Sequence, residues 1–380
     1  MNIVIAPDSF KGSLTSVEAA NAMCYGIKKV FPEANCLSIP LADGGEGTID
    51  AVLAVFGGEK IVKNVHDPLG RLMDAPFGWI EKEKIAVIEM AAASGLPILT
   101  KEELNPLLAT TYGTGELVRY ALDYKPEHLI IGIGGSATVD GGTGFFQALG
   151  VRFYDSEGNT VDGNGASLQT IKEIDASNLD PRLQGLKITV MSDVVNPLLG
   201  ETGAIYIFGK QKGVKVEEFP QYDRWMANFA EAVNKCVGKD ERDSSGSGAA
   251  GGLGYSLQSF LTLDMKSGFS LIAEMSQLEE KIKEARIVFT GEGKTDASSL
   301  FGKVPVGIAN IAKRYNIPCV SFAGAIEGDF SRFEEEGISL TAPIVDSPIQ
   351  LEDAMENAAF LLEKSAYRVM KAMKIGSGLR

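Results

Sequence analysis

Histidine is nearly missing from this chain of 380 residues: only His66 and His128 occur. A histidine-rich metal site, or a triad with histidine as the base, therefore has almost nothing to draw on. Both stand where structural roles are expected, His66 in the polar turn HDPLG and His128 just ahead of an apolar run. Cysteine is scarce as well. Cys24, Cys36, Cys236 and Cys319 stand far apart without a CxxC pair, which predicts reduced, mostly buried thiols in a cytoplasmic protein. Positive charge is in deficit: 36 Lys and Arg against 50 Asp and Glu leave a net charge of −14, with no long basic run. That balance argues against a nucleic-acid partner and for a soluble metabolic protein. No apolar run approaches the length of a membrane span, and the start, MNIVIAPDSF, lacks the features of a secretory signal. The chemistry must run on carboxylates, lysines, hydroxyls, backbone groups or a bound metal.

What the chain has in quantity is glycine, 43 residues of it, and the densest use lies in 128–150, HLIIGIGGSATVDGGTGFFQALG. The apolar run 129–133 reads as a buried strand. Gly134, Gly135, Ser136, Thr138, Asp140, Gly141 and Gly142 follow, and then a short apolar helix over 145–149. A strand that opens into glycines and hydroxyls ahead of a helix presents backbone N–H groups to an anion. Asp140 would repel that anion, so beside phosphates its carboxylate reads as a holder of a divalent metal. A tight strand-to-helix turn would use the same residues.

The rest of the chain alternates at both ends and is irregular in the middle. Residues 2–6 form a strand ending in PDSFKGS. The helix after it is capped by Thr15 with Glu18, and residues 36–39 form a second strand ending in PLADGGEGT. Both loops carry acids (Asp8, Asp43, Glu46), and the first adds Lys11. In parallel sheets ligands sit outside the carboxyl ends of strands, where such loops lie. Residues 60–65 and 85–90 read as strands of an antiparallel meander, 151–161 as a hairpin, and 187–191 as a strand leading to Asp193. FGKQKG at 208–213 sets two lysines between glycines, and GSGAAGGLGY at 246–255 is a second glycine-rich loop entering a helix. Strands are expected again at 287–290, 319–323 and 339–344, with one long helix over 352–373. Two strands at the start and three at the end predict a doubly wound parallel sheet built from both termini. The middle is then an inserted second α/β domain, with the division at 1–57 plus 283–380 against 58–282.

Two patterns suggest nucleotide sites and fail on spacing. Gly132, Gly134 and Ala137 match GxGxxA, with Asp155 following. Yet Asp140, Gly141 and Gly142 interrupt the helix that a dinucleotide fold needs, and DSEGNT reads as a turn. GEGKT at 291–295 echoes a P-loop whose first glycine would fall at Val288, inside a strand. Lys294, Asp296 and Lys303 stay candidates for phosphate or metal, with a solvated turn as the alternative.

Ten blocks occur together: APDSFKGS (6–13), PLADGGEGT (40–48), EMAAASGL (89–96), YGTGELVRYAL (112–122), IGIGGSATVDGG (131–142), SDVVNPLLG (192–200), FGKQKG (208–213), GAAGGLGY (248–255), TGEGKTD (290–296) and GKVPVGIA (302–309). In this order the chain resembles the bacterial glycerate kinases of the first type over essentially its whole length. Val139, Thr295 and Ser298–Ser299 depart from the family wording. The resemblance implies phosphorylation of D-glycerate by ATP with a divalent metal, Mg²⁺, usually at the 2-hydroxyl. It also implies a flavodoxin-like domain formed by both termini. A non-catalytic nucleotide- or hydroxy-acid-binding protein is the alternative, and a homo-oligomer is allowed.

Phosphoryl transfer needs in-line positioning and charge neutralisation more than covalent help. In a net-negative protein, two anionic substrates must be met by local lysines, backbone N–H groups and metal. Lys11 is expected to neutralise the transferring group. Asp193 first and Asp8 second are expected to take the hydroxyl proton or hold Mg²⁺. Gly134, Gly135, Ser136, Thr138, Gly141, Gly142, Gly251, Gly252 and Lys294 are expected to hold ATP, and Asp43, Glu46, Asp140 and Asp296 the metal.

Overall fold

The computed structural model describes residues 1–300, 304–327 and 330–378. Its strands, in chain order, are β1 (Asn2–Ile5), β2 (Asn35–Ser38), β3 (Glu59–His66), β4 (Leu72–Ile80), β5 (Ile85–Glu89), β6 (His128–Gly132) and β7 (Arg152–Tyr154). After them come β8 (Glu173–Asp175), β9 (Lys187–Met191), β10 (Asp264–Lys266), β11 (Ile287–Thr295), β12 (Cys319–Ile326) and β13 (Leu340–Pro343). The chain divides into two compact units. Met1–Ala42, Asp50–Gly57 and Phe269–Arg380 form the first, and Asp43–Ile49 with Gly58–Gly268 the second.

The first unit is an α/β layer on a five-stranded sheet of order β13-β12-β11-β1-β2, parallel throughout. Its central strands β1, β11 and β12 are largely buried, as parallel strands between helices require, while the edge strands β2 and β13 are partly exposed. Ile3, Ile5, Phe289 and Phe322 from the sheet pack with Met23, Ile27, Leu362 and Met370 from helices Ser16–Lys28 and Ala358–Gly378. The first helix starts at the expected capping box: Thr15 Oγ1 accepts from the Glu18 N–H at 3.1 Å, and the Glu18 carboxylate accepts from the Thr15 N–H at 2.9 Å. Cys24 and Cys36, remote in sequence, come into side-chain hydrogen-bond contact here, and burial with that contact pushes the Cys36 thiol up to about 12.

Two expectations for this unit are corrected. The strand read at 287–290 continues to Thr295, so GEGKT is strand and pairs with β12 as far as Thr295 beside Ile326. The long C-terminal helix is two, Leu351–Glu356 and Ala358–Gly378, interrupted at Asn357. Lys303 lies outside the described residues.

The second unit is built on a six-stranded mixed sheet, β10-β9-β6-β5-β4-β3, in which β4 runs antiparallel to both neighbours and the other pairs are parallel. The expected meander is β3-β4-β5. The hairpin at 151–161 forms around a turn in which Asp155 Oδ1 accepts from the N–H groups of Glu157 and Asn159 at 2.8 and 2.9 Å. The strand partner of β7 is β8, which the sequence reading passed over. It also passed over the helix Phe219–Val237, although Phe219, Tyr222, Met226, Phe229 and Val233 recur at helical spacing and Gly238 closes it with φ +71°. That helix meets Phe145, Phe146, Phe153 and Tyr255 in the core. Among the described residues no helix is long and apolar enough to cross a membrane.

Candidate active site

In the first unit the strand order reverses between β1 and β11, since β2 lies on one side of β1 and β11 on the other. Ligands of open parallel sheets bind outside the strand ends at such a reversal. The segment leaving β1 brings Asp8 and Lys11 there. It is pinned by the Asp8 N–H, which donates to Gly291 O at 2.9 Å, and by reciprocal bonds between Phe10 and Leu14 at 2.8 and 2.9 Å. Phe10 is buried, Asp8 half-buried and Lys11 exposed. The chain at Phe10 and Lys11 runs close beside Gly293 of β11. Farther along the same edge, Lys294 Nζ lies 2.9 Å from Glu327 and 3.5 Å from Asp296. Glu327, more than Asp296, holds the Lys294 ammonium above its ordinary pKa. The expected ATP contact and the expected metal ligand thus neutralise each other. Glu292, buried on β11 and absent from the expected set, accepts from the Thr295 hydroxyl at 3.1 Å. This accounts for a threonine at that position.

In the second unit the C-terminal ends of β5, β6 and β9 carry a glycine-built joint. Asp43–Ile49 lies across it. Gly134 N–H donates to Gly44 O at 2.9 Å, and the Ile49 N–H donates to the buried Glu89 carboxylate at 3.1 Å. At Gly44, φ is +90° and a Cβ would stand 2.5 Å from Met191 O, so only glycine fits. Asp43 turns back on its own loop, its Oδ1 accepting from the Gly45 N–H at 2.9 Å, while Glu46 is exposed. Asp193, exposed after β9, accepts from the Gly268 N–H at 3.0 Å.

The long glycine loop after β6 splits into an open and a closed part. Gly134 and Gly135 are the accessible portion, and among the described residues the N–H groups of Gly135 and Ser136 meet no protein acceptor. From Ser136 to Gly142 every residue is buried. The Gly141 N–H donates to Gly251 O at 3.0 Å and the Gly142 N–H to Asp140 Oδ1 at 3.1 Å, so neither can serve a phosphate. Gly251, with φ +63°, brings its backbone against Thr138 O, where a Cβ would come within 2.1 Å. The two glycine-rich loops therefore lock against each other. In this structure Gly141, Gly142, Gly251 and Gly252, expected to hold ATP, form a packing joint.

Asp140, expected to hold the metal, lies inside the second unit. It is fully buried and accepts four hydrogen bonds: from Thr111 N–H and Oγ1 at 2.9 and 2.7 Å, from Gly142 N–H at 3.1 Å and from Gly144 N–H at 3.2 Å. Burial pushes its carboxyl above the ordinary aspartate range, against the pull of those donors. Lys212, the second lysine of FGKQKG, is 2% exposed and donates to Ser136 Oγ at 2.7 Å and to Thr138 O at 2.9 Å. Burial pulls its ammonium down to about 7, with Asp140 acting the other way. Among the described residues Thr138 Oγ1 is buried without a partner.

The expected metal set does not fit. Among the described residues no group of three or more His, Cys, Asp or Glu side chains is placed to hold an ion. Asp140 is enclosed by donors, Asp296 is paired with Lys294, and Asp43 closes its own turn. Mg²⁺ in phosphoryl transfer is commonly held by one or two carboxylates plus the substrate's own phosphates.

Residues 3–374 match the model of the glycerate kinase family. The chain belongs to that family. It is 44% identical over 375 residues to the glycerate kinase of Bacillus subtilis (strain 168), covering 99% of this chain and 98% of the relative. It is 42% identical over 376 residues to the glycerate 2-kinase of Escherichia coli (strain K12), covering 99% of each. A crystal structure from Salmonella typhimurium LT2, of a chain assigned as a glycerate kinase 2, superposes with a TM-score of 0.88 at 41% identity, covering 100% of this chain and 99% of the other. For this glycerate kinase family member the residues that sequence reasoning left out are Glu89, Thr111, Lys212 and Glu292. The signal for Lys212 was visible, a lysine boxed between glycines in FGKQKG; nothing local marks the other three.

Proposed function

We propose that this chain transfers the γ-phosphoryl group of ATP to the 2-hydroxyl of D-glycerate. The observation that carries the reading is the full-length match to the glycerate kinase family. The Escherichia coli relative, named a glycerate 2-kinase, supports the 2-position. The strand order β13-β12-β11-β1-β2 supports a flavodoxin-like first domain, with the second unit as the inserted domain. A cytoplasmic location is supported by the four cysteines, none of them in a disulfide.

Roles follow from charge and access. In the first unit, Lys11 at the strand-order reversal neutralises the transferring phosphoryl group, a task for a compact ammonium on a pinned turn. Asp8 beside it is one candidate to take the hydroxyl proton. In the second unit, the N–H groups of Gly135 and Ser136 meet an anion, and Asp193 is the other candidate base. Mg²⁺, when bound, supplies charge neutralisation to the phosphates and comes in with ATP rather than resting in a protein cage. ADP release coupled to D-glycerate tests the reaction. Turnover that depends on both substrates is expected, and ATP binding without turnover would establish a non-catalytic binder instead. Phosphorus NMR of the product separates 2-phosphoglycerate from 3-phosphoglycerate.

A further inference from the structure

A lysine ammonium is among the groups least often enclosed in a protein, because its hydration is lost and must be replaced by hydrogen bonds. Lys212 is enclosed all the same. It ends the short turn Lys210–Lys212, where its N–H donates to Gly209 O at 3.0 Å and Gly213 turns the chain away with φ +97°. Its Nζ donates to Ser136 Oγ and Thr138 O, which belong to the loop after β6, 76 and 74 residues away in sequence. The charged group acting on it is Asp140, and its two direct partners are uncharged. Asp140 holds the far end of the same loop, through Thr111, Gly142 and Gly144. Among the described residues Thr138 Oγ1 meets no partner and adds nothing to this hold. Backbone bonds tie the near end to its neighbours, from the Leu96 N–H to Gly135 O and from the Ala137 N–H to Ser94 O, both at 2.9 Å, and Lys212 adds the side-chain hold on Ser136 and Thr138 next to the accessible Gly135.

We propose that Lys212 is a positioning residue of the kinase reaction, holding Ser136 and the Thr138 carbonyl so that the turn at 134–136 presents its N–H groups to the phosphates of ATP. This rests on the anion-facing role given above to Gly135 and Ser136. A displacement of about an ångström in a group that orients substrate costs on the order of 100-fold, whereas a post serving stability alone would leave the kinetics of folded molecules intact.

The test is steady-state kinetics of full-length Lys212→Met, Ser136→Ala and the double variant, with ATP and D-glycerate varied separately and rates normalised to folded protein by circular dichroism. Lys212→Met is expected to lose about 10- to 100-fold in kcat/KM for ATP while the KM for glycerate moves by less than about 2-fold. The double variant is expected to lose no more than Lys212→Met alone, because both changes act through one turn. Parental kinetics per folded molecule, or losses that multiply in the double variant, would overturn the proposal. Should Lys212→Met fail to fold, Lys212→Arg takes its place: it keeps the donors but shifts them, and unchanged ATP kinetics would count against positioning. If Ser136→Ala and Gly135→Ala both leave ATP kinetics untouched, the anion-facing role itself fails. If they reduce ATP kinetics and the Lys212 variants do not, only the role of Lys212 fails.

Discussion

The loop after β1 and the loop after β6 both leave buried strands and both carry glycine, hydroxyls and an aspartate, but they place their charges in opposite directions. After β1, Lys11 is exposed and Asp8 half-buried, and the turn is anchored by Phe10, by backbone bonds, by Asp8 Oδ1 accepting from the Ser9 N–H at 2.7 Å and by the Ser13 hydroxyl donating to Met355 O at 2.9 Å. After β6, Asp140 and Lys212 are drawn inside and do the anchoring themselves. The exposed Lys11 can therefore be replaced at smaller structural cost than the buried Asp140 or Lys212. A charge that anchors and a charge that acts are separated here by burial, not by residue type.

The strongest way to break this contrast is Asp140→Ala. It leaves the donors of Thr111, Gly142 and Gly144 without an acceptor and Lys212 without its opposing charge. About 3–5 kcal/mol of stability should be lost in a urea titration of the full chain. A loss under about 1 kcal/mol would mean that glycine packing alone holds the loop. Lys11→Ala examines the other side. We predict a fall in kcat of roughly 100-fold with stability changed by well under ~1 kcal/mol. Lys11→Arg should not restore full activity, because a planar guanidinium cannot take the place of a compact ammonium. Near-parental kcat for Lys11→Ala at saturating substrate would make the first loop architectural as well.

Smaller effects sharpen the comparison. Gly251 and Gly47 both have positive φ, +63° and +84°, but a Cβ at Gly251 would meet Thr138 O at 2.1 Å while one at Gly47 meets nothing within 4 Å. Gly251→Ala should therefore destabilise by roughly 1–3 kcal/mol more than Gly47→Ala, and equal melting temperatures would show that the joint yields. The last effect is a pH dependence. Lys212 is lowered from 10.5 to about 7 in the folded chain. Below about pH 7 both states carry the proton and the folded state bears the full burial penalty. Between there and about pH 10 the unfolded chain holds more protons, so this group makes stability rise with pH, by up to about 1 kcal/mol per pH unit. The rise should be absent in Lys212→Met when the two proteins are compared by urea titration at several pH values.

Much of the architecture could be read from the chain because local signals carried it. Strands at both termini, the capping box at Thr15 and Glu18, and the meander beyond Gly58 each announce themselves within a dozen residues. What escaped depends on partners distant in sequence. Asp140 and an exposed metal-binding aspartate look the same until Thr111 is brought against it from 29 residues away. The glycines at 141–142 and 251–252 look like two open cradles because nothing local shows that each loop fills the other. β11 runs past Thr290 because β12 offers a partner as far as Ile326. The helix Phe219–Val237 was legible from its apolar spacing and its closing glycine, and was simply not read.

The pairing of β1 with β11 sets a timetable for synthesis. Thr290 Oγ1 donates to Ala6 O across 284 residues of chain. At a synthesis rate of about 5–20 residues per second, β1 and β2 leave the ribosome roughly 15–60 s before the central partner of their sheet exists. The second unit, ending at Gly268, has all its strands in hand during that wait. The newborn chain thus carries a two-stranded apolar edge through most of its own translation. Its yield in a cell should depend on how well that edge is sheltered until β11 arrives.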